Sequence, residues 1–287
     1  MKIAIVTDAW HPQINGLVTA YTNLSRELTA QGCDVHIVSS EGFVALPCPT
    51  YPEIKLAVWP YPKLARSFDA SHFEAIHIAT EGPMGHAVRR YCLNRGLTFT
   101  TSMHTQFPEY IRMRLPIPII WSYRYLRRFH AAAARTLVPT ASLLESLKNR
   151  GFKNLEICRH GVDTTVFKPT PGPGLELPRP ILMYMGRVAV EKNIEAFLEL
   201  DLLGSYCVVG DGPDLPRLKS RYPHAHFFGY RFGHDLAGLL SAADVLVFPS
   251  LTDTFGLVML EAMAFGTPVA AYPVTGPNDV VDNGVSG

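Results

Sequence analysis

The sequence is built from short apolar runs that alternate with amphipathic stretches, and this alternation restricts the fold more than any other feature. The first run, Lys2–Thr7, precedes a stretch at 16–31 whose apolar residues recur at helical spacing, and Asp34–Ser39 follows. Strands that alternate with helices are typical of a parallel β-sheet covered by helices. The remaining elements predicted for this half are, in order, the strands Ile54–Trp59 and Ala75–Ile78, the helix Pro83–Arg95 and the strand Thr98–Thr101.

The alternation stops and then starts again, which predicts two domains. The second half contains a predicted helix at Asn193–Leu200 and four predicted strands, Ile181–Met185, Tyr206–Val209, His226–Phe228 and Val245–Phe248. A segment rich in proline and glycine lies between the halves, and such composition is typical of a linker. We therefore predict an α/β protein with a first domain at 1–168, a linker at 169–180 and a second domain at 181–287.

The predicted sheets indicate where a ligand would bind. Open parallel sheets bind ligands beyond the carboxyl ends of their strands, so two such domains predict an interdomain cleft. The sequence ends at residue 287, shortly after a strand and a turn, whereas a doubly wound domain usually continues for at least one more helix. We expect the second domain to be truncated at its C-terminus.

Composition and charge exclude some classes of function. The chain is 47% hydrophobic and 18% charged, as in globular proteins, and its formal net charge of +1 gives no global field that would attract nucleic acid. Its five cysteines are scattered, without a CxxC pair or zinc spacing, which favours reduced thiols in the cytoplasm. No window approaches the roughly 18 apolar residues that a membrane-spanning helix needs. We expect a cytoplasmic monomer that binds no nucleic acid.

Residues 249–272 carry the most informative local pattern. Asp253 and Glu261 are separated by seven residues, and the turn Phe255-Gly256-Leu257 between them opens an apolar helix. Such a turn places backbone N–H groups and the positive end of a helix beside an acid, which suits a phosphate joined to a sugar. Two plainer interpretations remain open: Asp253 caps the helix, and Glu261 forms a local salt bridge.

A loop with two cations follows the first strand of the second half. Gly186 ends that strand, and Arg187 and Lys192 lie five residues apart across the turn into the next helix. Two cations at the carboxyl end of a strand suit a diphosphate, whose charge must be balanced while its bond to a leaving group breaks. Alternatively, Arg187 forms a solvated surface pair with Glu191.

The first half offers two candidate loops at strand ends. Asn15 and Gly16 end the loop after the first strand, and a glycine there permits close approach of the backbone to an anion. That loop has no GxGxxG pattern, which argues against a dinucleotide dehydrogenase, and it is equally compatible with a plain turn. His104 follows a later strand, which favours a catalytic or sugar-contacting role over the structural or exposed position more common for a lone histidine in a loop. His160, near the domain junction, is assigned to a cap or turn.

Residues 110–144 contain no acidic side chain but six arginines, Arg112, Arg114, Arg124, Arg127, Arg128 and Arg135. On a helical wheel, apolar residues from Ile119 to Ala133 share one face, and Arg124, Arg128 and Arg135 lie on the other. One interpretation is an amphipathic helix with a solvated basic face. The other is a surface, in the region Arg124–Arg135, that attracts anionic lipid headgroups or an acidic acceptor.

Together and in this order, these loops resemble the retaining GT-B glycosyltransferases, in particular those of family 4. The resemblance covers nearly the whole chain and rests on six segments, Asn15-Gly16, the His104 segment, His160-Gly-Val-Asp163, Gly186–Lys192, Val209-Gly-Asp-Gly-Pro213 and Asp253-x7-Glu261. Three shorter segments, at 47–52, 79–83 and 137–140, resemble GDP-mannose-dependent mannosyltransferases and sulfoquinovosyl-diacylglycerol synthases. The resemblance implies the GT-B fold, which is two Rossmann-like domains with an interdomain cleft.

The resemblance assigns the phosphate-binding residues of the donor site. It implies that Arg187 and Lys192 bind the diphosphate of a nucleotide sugar beside Gly186. It also implies that the Asn15-Gly16 loop approaches that diphosphate from the other domain.

The resemblance also assigns residues to the ribose, the base and the sugar of the donor. Glu261 would hold the ribose, and Arg231 would lie beside the base. Asp253, where the family has glutamate, would contact hydroxyls of the donor sugar with help from backbone amides at Phe255, Gly256 and Leu257. His104 would contact the sugar near the reacting carbon.

These implications predict a hexosyltransferase that retains the anomeric configuration through front-side attack. The donor would be GDP-mannose or a UDP-sugar, and the acceptor a hydroxyl group, with a lipid or glycolipid consistent with the arginine-rich region. No cofactor and no obligatory metal are expected, since no DxD motif or carboxylate cluster is visible. The alternatives are a sugar-nucleotide epimerase or hydrolase on the same scaffold and a non-catalytic protein that binds sugar nucleotides.

Overall fold

The computed structural model describes residues 1–13, 15–48, 51–104, 108–109, 112, 118–169 and 175–287, with the backbone alone at 51–53. The chain forms two compact units, Met1–Arg159 and His160–Gly287. This division lies upstream of the predicted linker at 169–180, of which residues 170–174 are outside the described ranges. The residues that flank this gap belong to the second unit, because Phe167, Leu175 and Leu177 pack against its core.

The first unit is built on a six-stranded parallel sheet with the strand order β2-β1-β5-β6-β7-β8, and a separate hairpin pairs β3 with β4. Its strands are β1 (Lys2–Val6), β2 (Asp34–Val38), β3 (Ala45–Cys48), β4 (Tyr51–Ala57), β5 (Ala75–Ile78), β6 (Thr100–Ser102), β7 (Arg135–Val138) and β8 (Leu155–Ile157). Since the six sheet strands are parallel, their carboxyl ends share one edge, and the segment with His104 follows β6 at that edge.

Helices cover this sheet. Those in the described part of the first unit are α1 (Gly16–Ala30), α2 (Tyr61–Ser71), α3 (Pro83–Arg95), α4 (Ile119–His130) and α5 (Ala141–Asn149). The start of α3 is tied to the end of β1, because Asp8 Oδ1 accepts a hydrogen bond from Met84 N (3.0 Å) and Asp8 Oδ2 accepts one from Thr80 Oγ1 (2.7 Å). Burial raises the pKa of Asp8 in spite of these bonds.

The second unit is built on a five-stranded parallel sheet with the order β11-β10-β9-β12-β13. Its strands are β9 (Ile181–Met185), β10 (Ser205–Val209), β11 (His226–Gly229), β12 (Val245–Phe248) and β13 (Val269–Ala271). Its helices are α6 (Ile194–Leu198), α7 (Leu215–Arg221), α8 (Gly233–Ala242), α9 (Leu257–Ala264) and α10 (Pro277–Val280). The central strands β9 and β10 are buried along their whole length, which explains their continuous apolar sequence.

Most predicted elements are confirmed, and four of them, β5, α3, β9 and β12, have the predicted bounds. The strand predicted at Ile54–Trp59 is wrong in its bounds and its sheet, because β4 pairs antiparallel with β3, whose short run was missed. The helix predicted at Asn193–Leu200 is shorter, since a 3₁₀ turn at Val190–Lys192 precedes it and Asn193 has a positive φ of 54°.

The helical wheel treated the arginine-rich region up to Arg135 as one helix, but the structure shows a helix followed by a strand. Helix α4 ends at His130, and Arg135 is the first residue of β7, where its side chain pairs with Glu156 at 3.2 Å. Arg124 and Arg128 do lie on the exposed side of α4, opposite the buried Leu126. Arg114 lies outside the described residues.

Among the helices that the structure describes, none combines the length and the apolar character that a membrane crossing needs.

Candidate active site

The predicted site residues of the second unit lie in the loops that follow its parallel strands and in helix α9. Lys192 Nζ donates to both carboxylate oxygens of Asp253, at 2.6 and 2.8 Å. The two side chains are 19% and 16% exposed, so the ion pair is mostly sheltered from water. The loop after β9 is therefore joined to the loop after β12 by two of the residues that the sequence singles out.

A second bond joins the same two loops. Asn193, next to Lys192, donates from Nδ2 to the carbonyl oxygen of Pro249 at 3.1 Å. The parent strands β9 and β12 are hydrogen-bonded neighbours in the sheet. Neighbouring parallel strands thus bring residues 56 and 61 positions apart in the chain to the same end of the sheet, and two polar bonds fix the position of Lys192.

Asp253 does not cap the helix that follows it, so that interpretation is wrong. Helix α9 has Gly256 as its N-cap residue, and no side chain bonds to the cap. Gly256 has a φ of 82°, and a Cβ there would lie 2.7 Å from Met259 Cε and 2.9 Å from Phe248 Cζ. This turn therefore requires a glycine. The first amide groups of α9 lie at the amino end of the helix, next to Phe255 in the chain.

Phe255 is buried and is held by an aromatic contact within the second unit. The ring of His160 meets it edge-on, with 5.1 Å between ring centroids. Burial lowers the pKa of His160, which favours its neutral form. His160 thus supports the loop before α9, which is more than the cap or turn role predicted for it.

Glu261 lies inside α9 and is only 9% exposed. Burial raises its pKa to about 7, because the charged form loses its hydration. No ion pair of Glu261 occurs among the residues that the structure describes, so the local salt bridge considered for it is not present there. A buried carboxyl group of this kind can accept hydrogen bonds from ligand hydroxyls, which is the role predicted for it.

Glycines pack the loops after β9 and β10 closely together. A Cβ on Gly210 would lie 1.8 Å from the carbonyl oxygen of Gly186, and one on Gly212 would lie 2.2 Å from that of Val188. Gly186 itself has a φ of 147°. Tyr184 donates from Oη to the carbonyl oxygen of Arg187 at 2.8 Å. This bond fixes the backbone of Arg187, which is, with Lys192, one of the two predicted phosphate-binding cations.

Arg231, predicted to lie beside the base, follows β11 and is exposed. Its flanking residues Tyr230 and Phe232 stack on each other, with 6.1 Å between ring centroids. The sequence analysis did not single out Tyr230 and Phe232. Their position directly after a predicted strand could have indicated that they lie near the site.

In the first unit, His104 is part of a network of hydrogen-bonded hydroxyl and imidazole groups. Tyr21 Oη lies 2.8 Å from His104 Nε2, 2.7 Å from His77 Nε2 and 3.0 Å from Ser102 Oγ. Ser102 Oγ lies 2.8 Å from His77 Nε2, and Thr100 Oγ1 lies 2.8 Å from His77 Nδ1. These residues come from α1, β5, β6 and the segment after β6.

Two of the groups that contact or surround His104 are uncharged. Burial lowers the pKa of His77 to about 4 and raises that of Tyr21, so both are uncharged at neutral pH. A tyrosine hydroxyl has one proton to donate, and its three neighbours compete for it. The hydrogen bond between Tyr21 and His104 therefore depends on how Ser102 and His77 share the same hydroxyl group.

Asn15 and Gly16 stand at the start of α1. Asn15 is the N-cap residue, and its Oδ1 accepts a hydrogen bond from Val18 N at 3.0 Å. Gly16 is the first residue of the helix. The side chain of Asn15 thus fixes the helix start, and binding of an anion there stays a prediction.

Sequence reasoning found the charged loops and missed the network partners of His104. Tyr21, His77 and Ser102 were not singled out as site residues. Tyr21 is separated from His104 by 83 positions, and no local spacing signals such a contact. The structure describes no group of three or more His, Cys, Asp or Glu residues that could hold a metal ion within its described ranges.

Both units match known glycosyltransferase families. Residues 14–166 match the family "Glycosyltransferase Family 4", and residues 179–287 match "Glycosyl transferases group 1". Because the first of these matches covers more than half of the sequence, the chain belongs to glycosyltransferase family 4.

Curated relatives match almost the whole chain. It is 26% identical to a GDP-mannose-dependent alpha-mannosyltransferase of Mycobacterium tuberculosis, over 98% of this chain and 81% of that protein. It is 29% identical to the Mycolicibacterium smegmatis protein of the same name, over 98% and 82%. It is 28% identical to the sulfoquinovosyl transferase SQD2 of Arabidopsis thaliana, over 93% of this chain and 58% of that protein.

Solved structures share the fold. Sucrose-phosphate synthase from Thermosynechococcus elongatus aligns with a TM-score of 0.74 at 20% identity, over 96% of this chain and 82% of that one. HepE of Anabaena in complex with UDP aligns with a TM-score of 0.69 at 15% identity, over 99% and 84%. These structures confirm the predicted GT-B fold. The two family matches and the glycosyltransferase relatives confirm the predicted hexosyl transfer from a nucleotide sugar, and the epimerase, hydrolase and non-catalytic alternatives are not favoured.

Proposed function

We propose that this chain transfers mannose from GDP-mannose to a hydroxyl group of a lipid or glycolipid, with retention of the anomeric configuration. The observation that carries the proposal is the Lys192–Asp253 pair beside the amino end of α9, with the buried Glu261 on the same helix. Cations and amides suit a diphosphate, and carboxylates suit hydroxyls of ribose and hexose. Similarity over the full chain to mannosyltransferases that use GDP-mannose supports mannose as the sugar.

A UDP-sugar is the second candidate donor, since HepE of the same fold was solved in complex with UDP. Thermal-shift measurements against a panel of GDP- and UDP-sugars separate the two candidates, because a ligand that binds the folded state raises the midpoint of unfolding. We expect GDP-mannose to give the largest shift. A larger shift with a UDP-sugar would overturn the choice of donor and leave the enzyme class unchanged.

In the proposed reaction the acceptor hydroxyl attacks from the side of the sugar that the phosphate leaves. The new bond between the sugar carbon and the acceptor oxygen forms as the bond to the diphosphate breaks, and the departing phosphate oxygen accepts the hydroxyl proton. Lys192, Arg187 and the first amides of α9 stabilise the charge that grows on the diphosphate. Since these groups supply the positive charge, we propose that no divalent cation is obligatory. Transfer rates should then be equal within about twofold in excess EDTA and in magnesium chloride, as expected where fixed protein groups replace the ion. A loss in EDTA that magnesium restores would contradict this point.

The proposal of a lipid acceptor is based on the exposed surface of α4. Ile120 and Trp121 are 71% and 62% exposed, and Arg124 lies with its guanidinium 6.0 Å from the Trp121 ring. A cavity of about 730 Å³ lies beside them and extends to Arg127 and to Arg150 near the end of α5. Exposed apolar rings among arginines are typical of a surface that lies in the headgroup layer of an anionic membrane.

Co-sedimentation with vesicles tests this part of the proposal. We expect the protein to bind vesicles of phosphatidylcholine with phosphatidylglycerol, and much less so vesicles of phosphatidylcholine alone. The double change Trp121→Ala and Arg124→Gln should reduce binding about tenfold, given about 1 kcal/mol per basic residue near such a surface and the lost apolar contact. Arg66→Gln, which removes an exposed arginine of α2, is the control. Equal binding by all three proteins would contradict the proposed surface.

A further inference from the structure

Asp253 differs from the other site residues because both of its carboxylate oxygens contact a cation of the same site. Lys192 Nζ lies 2.6 Å from Oδ1 and 2.8 Å from Oδ2, which is the geometry of a charge-assisted double hydrogen bond. A role confined to the donor sugar does not explain why this carboxylate faces the lysine that the diphosphate needs.

The position of the pair limits how it can move. The neighbouring Asn193 is bonded to Pro249, so the backbone beside Lys192 is attached to the same loop as Asp253. On the far side of that loop, a Cβ on Gly276 would lie 2.7 Å from the carbonyl oxygen of Asp253, so the chain packs closely there as well. A phosphate that approaches Lys192 Nζ therefore also approaches the carboxylate, and the two anions compete for one ammonium group.

We propose that Asp253 acts on the diphosphate through Lys192: the carboxylate holds Nζ in place and competes with the phosphates for it. This inference rests on the proposed function, in which the donor diphosphate binds beside Lys192. Asp253 is then a positioning residue for Lys192, and it weakens the hold of the site on a nucleoside diphosphate. Because that diphosphate is the product of transfer, the competition favours its release.

Titration calorimetry with GDP and with UDP tests the inference without an acceptor. The variant Asp253→Asn keeps the size of the side chain and an oxygen acceptor for Nζ but removes the competing charge. We expect it to bind the nucleoside diphosphate roughly fivefold more tightly than the wild type at low salt, with a smaller difference at high salt. Asp253→Glu keeps the charge and should resemble the wild type. Asp201→Asn removes an exposed carboxylate before β10, at the other end of the strands, and should have no effect.

A double-mutant cycle with Lys192→Met shows whether the effect passes through the lysine. In the Lys192→Met background we expect Asp253→Asn to change the affinity for the diphosphate by less than about twofold. An equal gain in both backgrounds would overturn the inference, because Asp253 would then repel the phosphates directly. Unchanged or weaker binding by Asp253→Asn, with unchanged thermal unfolding, would overturn it as well. If the wild type binds no nucleoside diphosphate or nucleotide sugar, the proposed function fails together with this inference.

Discussion

The two units hold their predicted site residues in opposite ways. In the second unit, Lys192 and Asp253 carry opposite charges and form a direct ion pair in loops at the sheet edge. In the first unit, His104 contacts the buried Tyr21, which is uncharged and hydrogen-bonded to the neutral His77 and to Ser102. The difference indicates two functions. Charged loops bind and release a multiply charged group, whereas the hydrogen-bonded network fixes the orientation of the His104 ring.

The largest effect is expected at the charged loops. Lys192→Ala should lower the transfer rate at least about a hundredfold, as expected when one group that stabilises the leaving charge is removed. Steady-state transfer from the nucleotide sugar is the measurement. Lys219→Ala, which removes an exposed lysine in the last turn of α7, is the matched control. A near-normal rate in Lys192→Ala would remove this loop from the site.

A smaller effect is expected when the hydrogen-bonded network loses its central hydroxyl. Tyr21→Phe removes the group that contacts His104, His77 and Ser102, and we expect kcat to fall about tenfold, as for the loss of one orienting hydrogen bond. KM for the donor should change much less. Tyr61→Phe, which removes an exposed contact with Asn94, is the control. If KM rises while kcat stays constant, the network serves binding and the contrast between the units is wrong.

The buried carboxyl of Glu261 should make donor binding depend on pH. Its pKa of about 7 lies above the ordinary value of 4.5, so the ionised form that accepts hydroxyl bonds becomes scarce in mild acid. We expect the affinity for the nucleotide to fall about eightfold from pH 7.5 to pH 6. Glu261→Gln should bind more weakly but without this pH dependence over the same range. A wild-type affinity that is constant between these pH values would contradict the role of Glu261.

The same shift has a consequence for stability, and its sign is fixed. Because folding raises the pKa of Glu261, the folded state binds this proton more tightly than the unfolded chain. The contribution of Glu261 to stability is present in full below pH 4.5 and is lost as the pH rises from 4.5 through about 7. Relative to the wild type, Glu261→Gln should therefore gain stability as the pH rises across this range, which denaturant unfolding at several pH values would show.

The smallest effect is expected at the exposed arginine after β11. Arg231→Gln should weaken binding of the nucleotide sugar by only about two- to threefold, since charge interactions of exposed side chains are weak. Calorimetry with the preferred donor measures this. A loss above about tenfold would mean that the base relies on this side chain more than its exposure indicates.

The sequence was sufficient to predict the α/β class, the charged loops and most strands of the two sheets, although β7 and β8 of the first sheet were not predicted. Apolar runs such as Ile181–Met185 are continuous because a central parallel strand is buried on both faces. Lys192 and Asp253 could be located since each follows such a strand. Their direct ion pair could not be predicted, because it depends on β9 and β12 being neighbours in the sheet order.

The parts that were missed depend on tertiary contacts. The extent of α4 was overestimated because residues up to Ala133 continue its apolar periodicity, although the chain turns after His130 to enter β7. The partners of His104 come from α1, β5 and β6, and only the packing of α1 against the sheet brings them together. The hairpin of β3 and β4 contains two prolines, at 47 and 52, which obscured its strand pattern.

The central claim is that the loops after β9 and β12 bind the diphosphate of a nucleotide sugar. A crystal structure of the protein with the nucleoside diphosphate of its preferred donor tests this most directly. The account predicts phosphate oxygens within hydrogen-bond distance of Lys192 Nζ and of the first amides of α9, with the ribose hydroxyls at Glu261. A diphosphate that contacts neither Lys192 nor Arg187, with the Lys192–Asp253 pair undisturbed, would contradict it.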